Sequence, residues 1–469
     1  MTKRSPGNSL SRRRFFKMAG GATVAAAGMG VLPNPFKKLL SPIGISEAHA
    51  AAGDPDLFYA GTDGWISLPV APAIYSASLG NVKTHPDDLA PPGFTTYIFG
   101  FRNVTGLNAT QISEQKNKAQ HTAPMFWLDQ FDPADPKDFR MQLTNLGLAL
   151  RPDLFDAHTI HWHGFRNVIP FFDGEPTGSV AVTTGRNFQY IYRARDPGTY
   201  MFHCHVEDVE HVHMGMTGPV HVRALQNKYG NSAGAPVARY KGGAAADAPL
   251  GYAYNDGVAL NHPASTAYDR EFCMQLSEVW GDSHWADAHI QLPEWSDYRA
   301  DFSLLNGRVY PDTLAPNGSI DPYNPVRDAS GDLIAPAGRP DLQYQPLSAL
   351  VTCNAGDRVL LRFANLGFRE SAMTLAGIKM RVVGKDATPM KGRDGTDTYY
   401  DASTVSFGAG ESIDAIFTAP PKTGSGDYDT YVLYDRAYER TNNLGQGGRR
   451  TEVRVYAAGT LPAQTVPNA

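Results

Sequence analysis

Cysteine is almost absent, with three residues in a chain of 469. That excludes a disulfide scaffold. No run of about twenty apolar residues occurs in the body of the chain, which excludes an integral helical membrane protein. Basic residues are scarce beyond the N-terminus. Residues 1–50 hold eight Lys/Arg and one acid, Glu47, so the rest carries 34 basic against 46 acidic side chains, a net charge of −12. This deficit argues against nucleic acid as a partner. Histidine is missing from residues 290–469 altogether. No long helical period stands out either. What is abundant is turn chemistry: 46 Gly and 34 Pro, about 17% of the chain against a usual ~12%. That points to a β-rich protein. Hydrophobics at 42% and charges at 19% give a real core and exclude wholesale disorder.

The N-terminus reads Ser11-Arg12-Arg13-Arg14-Phe15-Phe16-Lys17, followed by an Ala- and Gly-rich stretch to Leu32. Basic, apolar and then small residues is the order of a secretory signal. The Arg pair with its Phe and Lys resembles the twin-arginine type, and Ala48-His49-Ala50 fits a cleavage site. The expectation is export in the folded state to the periplasm or beyond, with a mature start near Ala51. Twin-arginine substrates often carry an inserted cofactor, which favours a metal or redox protein.

The mature chain reads as short strands between Gly, Pro, Asn and Asp. It divides into a first β-domain at 51–225, a Gly/Ala-rich linker at 226–265, a second β-domain at 266–459 and a tail at 460–469. A weak internal repeat links the halves. Phe139–Gly147 and Val359–Gly367 are each a strand ending in Asn-Leu-Gly, and Gly198–Phe202 has its counterpart in Asp429–Leu433. Two β-sandwiches fit the length.

Seven of fourteen histidines crowd into two segments, His158-Thr-Ile-His161-Trp-His163 and His203-Cys204-His205 through His211-Val-His213. Residues two apart in a strand share a face. His161 and His163 therefore point together, as do His203 and His205, with Cys204 opposite. Imidazoles on one face suit a borderline metal such as copper. The lone thiolate, with a nearby His and Met, is the ligand set of a blue-copper site.

These H-x-x-H-x-H-G and G-x-Y-x-F-H-C-H segments resemble those of multicopper oxidases of the cupredoxin fold, over most of residues 58–459. The resemblance implies an all-β chain of two cupredoxin-like Greek-key sandwiches. It also implies a type 1 copper held by His158, Cys204, a downstream His and a Met. The second His usually follows the Cys by five residues, but Val209 stands there. Two extra residues in the loop bring His211 and Met216 into register; the rival pair, His213 with Met214, places adjacent residues on one ion. His161, His163, His203 and His205 then belong to a type 2/type 3 copper cluster. His213 is expected to be second to the ligands or solvent-facing.

Where the second domain would carry its share of the cluster, it has Ser371, Thr374 and Ala376, then Tyr434, Asp435 and Arg436. Four of eight imidazoles are missing, which suggests a homo-oligomer in which a second copy completes the site. The expected activity is one-electron oxidation of a small reducing substrate or metal ion through an exposed edge of His211, coupled to reduction of dioxygen. The alternative is a type 1 electron-transfer or copper-binding protein without oxidase activity. A copper nitrite reductase fits less well, since that enzyme has an acid at position 161 and no His at 205. Cys273 and Cys353 are either a disulfide or two buried thiols.

Overall fold

The computed structural model describes residues 53–229, 250–255 and 266–469, except 393, 395 and 444–446. The predicted export segment lies outside the described residues. No described helix is long and apolar enough to cross a membrane.

The architecture is β-sandwich, repeated. In the first half, β1 (Leu57–Ile66), β2 (Thr96–Asn103), β4 (Phe139–Asn145) and β6 (Asn187–Tyr192) form one sheet in the order β2-β1-β4-β6. The facing sheet contains β3 (Phe126–Asp129), β5 (His161–His163), β7 (Gly198–His203) and β8 (Thr217–Arg223), in the order β3-β8-β7-β5. The second half begins with β9 (Arg270–Val279), β10 (Phe302–Leu305), β11 (Val351–Asn354), β12 (Arg358–Asn365) and β13 (Ser371–Leu375). It continues with β14 (Met380–Lys385), β15 (Thr404–Phe407), β16 (Ser412–Thr418), β17 (Tyr428–Asp435) and β18 (Arg450–Tyr456). Its sheets run β10-β9-β12-β16-β14 and β11-β18-β17-β13-β15.

The two halves match pairing by pairing. β1 is antiparallel to β2 and parallel to β4, as β9 is to β10 and β12. β8 is parallel to β3 and antiparallel to β7, as β18 is to β11 and β17. The Asn-Leu-Gly repeats do the same local work. Asn145 Oδ1 accepts from Gly147 N at 2.8 Å, and Asn365 Oδ1 accepts from Gly367 N at 3.0 Å. Alternation builds each core: Met141 and Leu143 point inward from β4, and Val453 and Val455 from β18. Each sandwich closes on its own apolar cluster, around Phe126, Trp162 and Phe202 in the first and Phe363, Met373 and Leu433 in the second.

A buried charge network ties one sandwich to the other. Glu271 on β9 accepts from Arg223 on β8 and from Arg362 on β12, each at 2.9 Å. Arg362 also lies 3.4 Å from Asp414, which accepts from Thr199 on β7. Burial alone would raise the Glu271 carboxyl, but Arg362 and Arg223 outweigh it and hold it at about 2.

One expectation is corrected. The segment at 226–265 is not linker throughout. Leu250–Asn255 packs into the fold: Gly251 and Tyr252 pair with Tyr268 and Ala267, and the Tyr254 hydroxyl donates to Asp414 at 2.6 Å. The tail is docked. Asn468 Nδ2 donates to the Cys273 carbonyl at 3.2 Å, and Gln464 Oε1 accepts from Glu271 N at 2.7 Å. The composition of both segments hid the long-range partners that bury them. Cys273 and Cys353 are buried free thiols.

Glu271→Gln should remove the carboxylate shared by two buried guanidinium groups and leave Arg362 only the longer pair with Asp414, at about 3–5 kcal/mol. A urea midpoint close to that of the parent would contradict the network's role.

Candidate metal centre

Asn145, from the repeated Asn-Leu-Gly, sets the first element of the site. Its Nδ2 donates to the Asp156 and Val182 carbonyls, both at 2.8 Å. This fixes the loop that delivers His158, whose backbone pairs with Val182. Gly61 on β1 leaves the room: a Cβ there would lie 2.7 Å from the His158 ring and 3.4 Å from Met216 Cε. His158 and Met216 thus share one space.

Cys204 leaves β7 with its thiol turned into the sandwich. The chain then forms the helix α1 (Asp208–Met214), entered through Glu207 at φ 46° and left through Gly215 at φ 121°. This helical turn accommodates the two extra residues. It turns Val209 to solvent and carries His211 inward, where its Nδ1 lies 3.2 Å from Cys204 Sγ. Met216 follows directly before the return strand β8, its carbonyl accepting from Cys204 N at 3.0 Å.

The ligand atoms of His158, Cys204 and His211 lie within 4.8 Å of one another, and all three residues are fully buried. Both ring nitrogens of His158 are buried without a hydrogen-bond partner, an expense that an ion would remove. Burial raises the Cys204 thiol, but His211 and His158 outweigh it and hold it well below the ordinary range. His211 is raised to about 10 against the effect of burial, by Cys204 and Asp156. A buried thiolate beside two imidazoles, with a thioether close by, is a donor set that fits copper.

The structure corrects the expected exposed edge of His211. The ring is fully buried, and its Nε2 faces Asp156 Oδ2 at 3.5 Å. His213 is not solvent-facing either. It is buried against Trp295, Tyr298 and Phe368, and its Nε2 accepts from Trp280 N at 3.1 Å. It points away from Cys204 into the seam with the second sandwich.

The other histidines converge on the opposite face. β5 pairs with β7 so that His161 stands directly across from His203, while Trp162 between the two β5 histidines is buried in the core. Ligand atoms of His161, His163 and His203 lie within 4.8 Å of one another. The His205 ring centroid is 4.7 Å from that of His161 and 5.5 Å from that of His203. His205 N donates to Thr159 Oγ1 at 2.9 Å.

Carbonyl oxygens set the tautomers. His161 Nδ1 donates to the Asp173 carbonyl at 2.9 Å, His203 Nδ1 to the Cys204 carbonyl at 2.8 Å, and His163 Nε2 to the Gly410 carbonyl at 3.0 Å. A carbonyl can only accept, so the remaining nitrogens, His161 Nε2, His203 Nε2 and His163 Nδ1, carry lone pairs. Two of these face each other at 3.4 Å. Facing lone pairs repel unless a cation lies among them, so this donor set also fits a metal ion. Burial lowers all three histidines and keeps the imidazoles in the neutral, metal-binding form. Gly174 lets the Asp173 turn close over β5, since a Cβ there would lie 2.0 Å from the Ile160 carbonyl oxygen.

The second sandwich fills the equivalent place differently. Thr374 pairs with Tyr434 as His161 pairs with His203, which puts Asp435 in the place of Cys204 and Ser371 in that of His158. Arg450 pairs with Tyr434 as Thr217 does with His203, which puts Arg449 in the place of Met216. These three bind one another. Arg449 lies 3.1 Å from Asp435 Oδ2 and 3.5 Å from Glu278, and donates to Ser371 Oγ.

Asn145, Gly61, Asp156 and Thr159 were missed in the sequence. Only Asn145 carried a signal there, its repetition as Asn365.

His211→Ala should abolish copper colour. His213→Ala should keep it but leave the Trp280 N–H unsatisfied, costing about 1–3 kcal/mol. Visible spectra and thermal melts of the two variants check this, and the reverse pattern would exchange the roles of the two histidines.

Among solved structures, the chain is similar to a blue copper oxidase from Nitrosomonas europaea, at 19% identity over 85% of each chain and a TM-score of 0.49. It is similar to a laccase from Botrytis aclada at 16% identity over 88% of this chain and 54% of that one, TM-score 0.47. A copper nitrite reductase from Nitrosomonas europaea gives 13% identity over 88% and 96%, TM-score 0.47. A comparison with curated proteins finds no match. Residues 144–227, which carry all eight candidate ligands, match the family model described as multicopper oxidase.

Proposed function

We propose that the chain is an exported copper-dependent oxidoreductase of the multicopper oxidase type. It oxidises a reducing substrate one electron at a time and passes the electrons to dioxygen. The observation that carries this reading is the juxtaposition of two donor sets along one segment. His158, Cys204 and His211 form a buried set within 4.8 Å. The residues flanking Cys204, His203 and His205, belong to the second set with His161 and His163. When bound, copper supplies one-electron chemistry at the first set and dioxygen reduction at the second.

The chain's own residues prepare both places. Cys204 provides a thiolate and, through its peptide bonds, the shortest covalent path between the sets. Asn145 and Gly61 position His158. The carbonyls of Asp173, Cys204 and Gly410 fix the three tautomers. Met216 would complete the first set as a weak thioether donor.

Copper-loaded protein should be intensely blue with clearly more than one copper per chain, and Cys204→Ser should be colourless. A second reading, a type 1 electron carrier, is favoured by the missing histidines of the second sandwich. One copper per chain with a blue spectrum would establish it instead.

The donor count also supports a homo-oligomer. His161 and His205 remain partly exposed, and no further histidine of the described chain joins them within ligand distance. A second copy that brings its own four imidazoles to this face completes the cluster. Oxidase activity per chain should then fall on dilution through the association range, and His163→Ala should abolish oxygen consumption while keeping the blue band. A monomer by light scattering with undiminished activity would defeat the shared site. Export by the twin-arginine route is supported by the N-terminal residues, and replacing Arg12 and Arg13 by Lys should retain the protein in the cytoplasm.

A further inference from the structure

No small reductant can touch the ring of His211, which is fully buried behind Asp156. Three segments close over it, and a buried charge knot fastens them together. Arg151, at the head of the loop that carries Asp156, donates to the Asp287 carbonyl at 2.9 Å and lies 3.6 Å from the Asp287 carboxylate. Asp287 lies near the end of the helix α2 (Gly281–Ala288). α1 is tied to the same loop through His211 Nε2, which lies 3.5 Å from Asp156 Oδ2.

Each of the three segments turns large apolar side chains to solvent. Phe155 on the loop is 83% exposed, Val209 on α1 is 52% exposed, and Ile290 and Leu292 directly after α2 are 64% and 91% exposed. Single exposed apolar residues are ordinary; several from segments fastened to one another mark an interaction surface. The exposed charges of the same segments all have one sign: Asp153, Glu207, Asp208 and Glu294. The only Lys or Arg of these segments, Arg151, is buried and pairs with Asp153 and Asp287.

We infer that this acid-rimmed apolar face docks a small basic redox protein, which is the electron donor. The inference rests on the copper reading proposed above. The docked partner's reduced one-electron centre loses one electron, and Cu(II) held at Cys204 becomes Cu(I). No proton or further reactant is needed. A flat apolar contact suffices for this transfer, whereas a small organic substrate would need a cleft that reaches the ring. The acidic rim attracts a cationic partner, and salt weakens that attraction.

The test uses a basic c-type cytochrome as the probe and the full-length chain. Copper-free chain should bind the cytochrome in calorimetry at low ionic strength, and binding should weaken at least about tenfold at physiological salt. A Phe155→Ser, Leu292→Ser double variant should lose about tenfold in affinity. Tyr400→Ser, at an exposed aromatic on the second sandwich, should bind like the parent. In copper-loaded protein the double variant should slow reduction by ferrous cytochrome about tenfold while reduction by ascorbate and the blue band stay unchanged.

Absence of binding at low salt would overturn the proposal. So would a double variant that binds like the parent, or one that slows cytochrome and ascorbate equally. Cytochrome binding by a chain that never turns blue would sink the copper assignment and, with it, electron entry at this face. The spectrum and the calorimetry separate the two failures.

Discussion

Successive side chains leave a strand on opposite faces, and the segment His203-Cys204-His205 at the end of β7 uses both. The thiol turns into the sandwich toward His158 and His211. The flanking imidazoles turn to the face that β5 shares, where His161 stands across from His203. Everything else in the first sandwich is arranged around that alternation. Asn145 holds the His158 loop, Gly61 leaves space for the ring, and α1 brings His211 back to the thiol. A slip of one residue in β7 would exchange the faces and destroy both donor sets at once.

The second sandwich contributes position more than ligands. Its network of Glu271, Arg362 and Asp414 grips β7 and β8 from behind, through Thr199 and Arg223. The same docking brings Gly410 to His163, so a carbonyl of the second half decides which nitrogen of a first-half ligand carries the proton. The two halves therefore meet at the candidate site itself, although all eight candidate ligands come from one of them.

Much of this was legible in the residues. Strand text, the Asn-Leu-Gly repeat and the spacing of His161, His163 and His203 follow from local rules that the fold obeys. The geometry brings His211 to Cys204 and turns His213 to Trp280. What local rules could not supply was burial. His211 and His213 both stand on α1, two residues apart, and both are enclosed by distant chain: Phe99 and Asp156 for one, Trp295 and Tyr298 for the other. The Gly-rich stretch before Leu250 suggested a linker because its composition carries no sign that Tyr254 ends on Asp414. The docking of the tail was not legible because Asn468 finds its partners on β9, almost two hundred residues earlier in the chain.

The Ser371–Asp435–Arg449 knot gives the duplication an uneven character. One copy of the fold gathers the donors His158, Cys204 and His211 at its centre. The other sets a guanidinium at the same place, already built into the polypeptide. The second half therefore closes its centre with covalent chain alone, and offers the first half a finished surface to pack against.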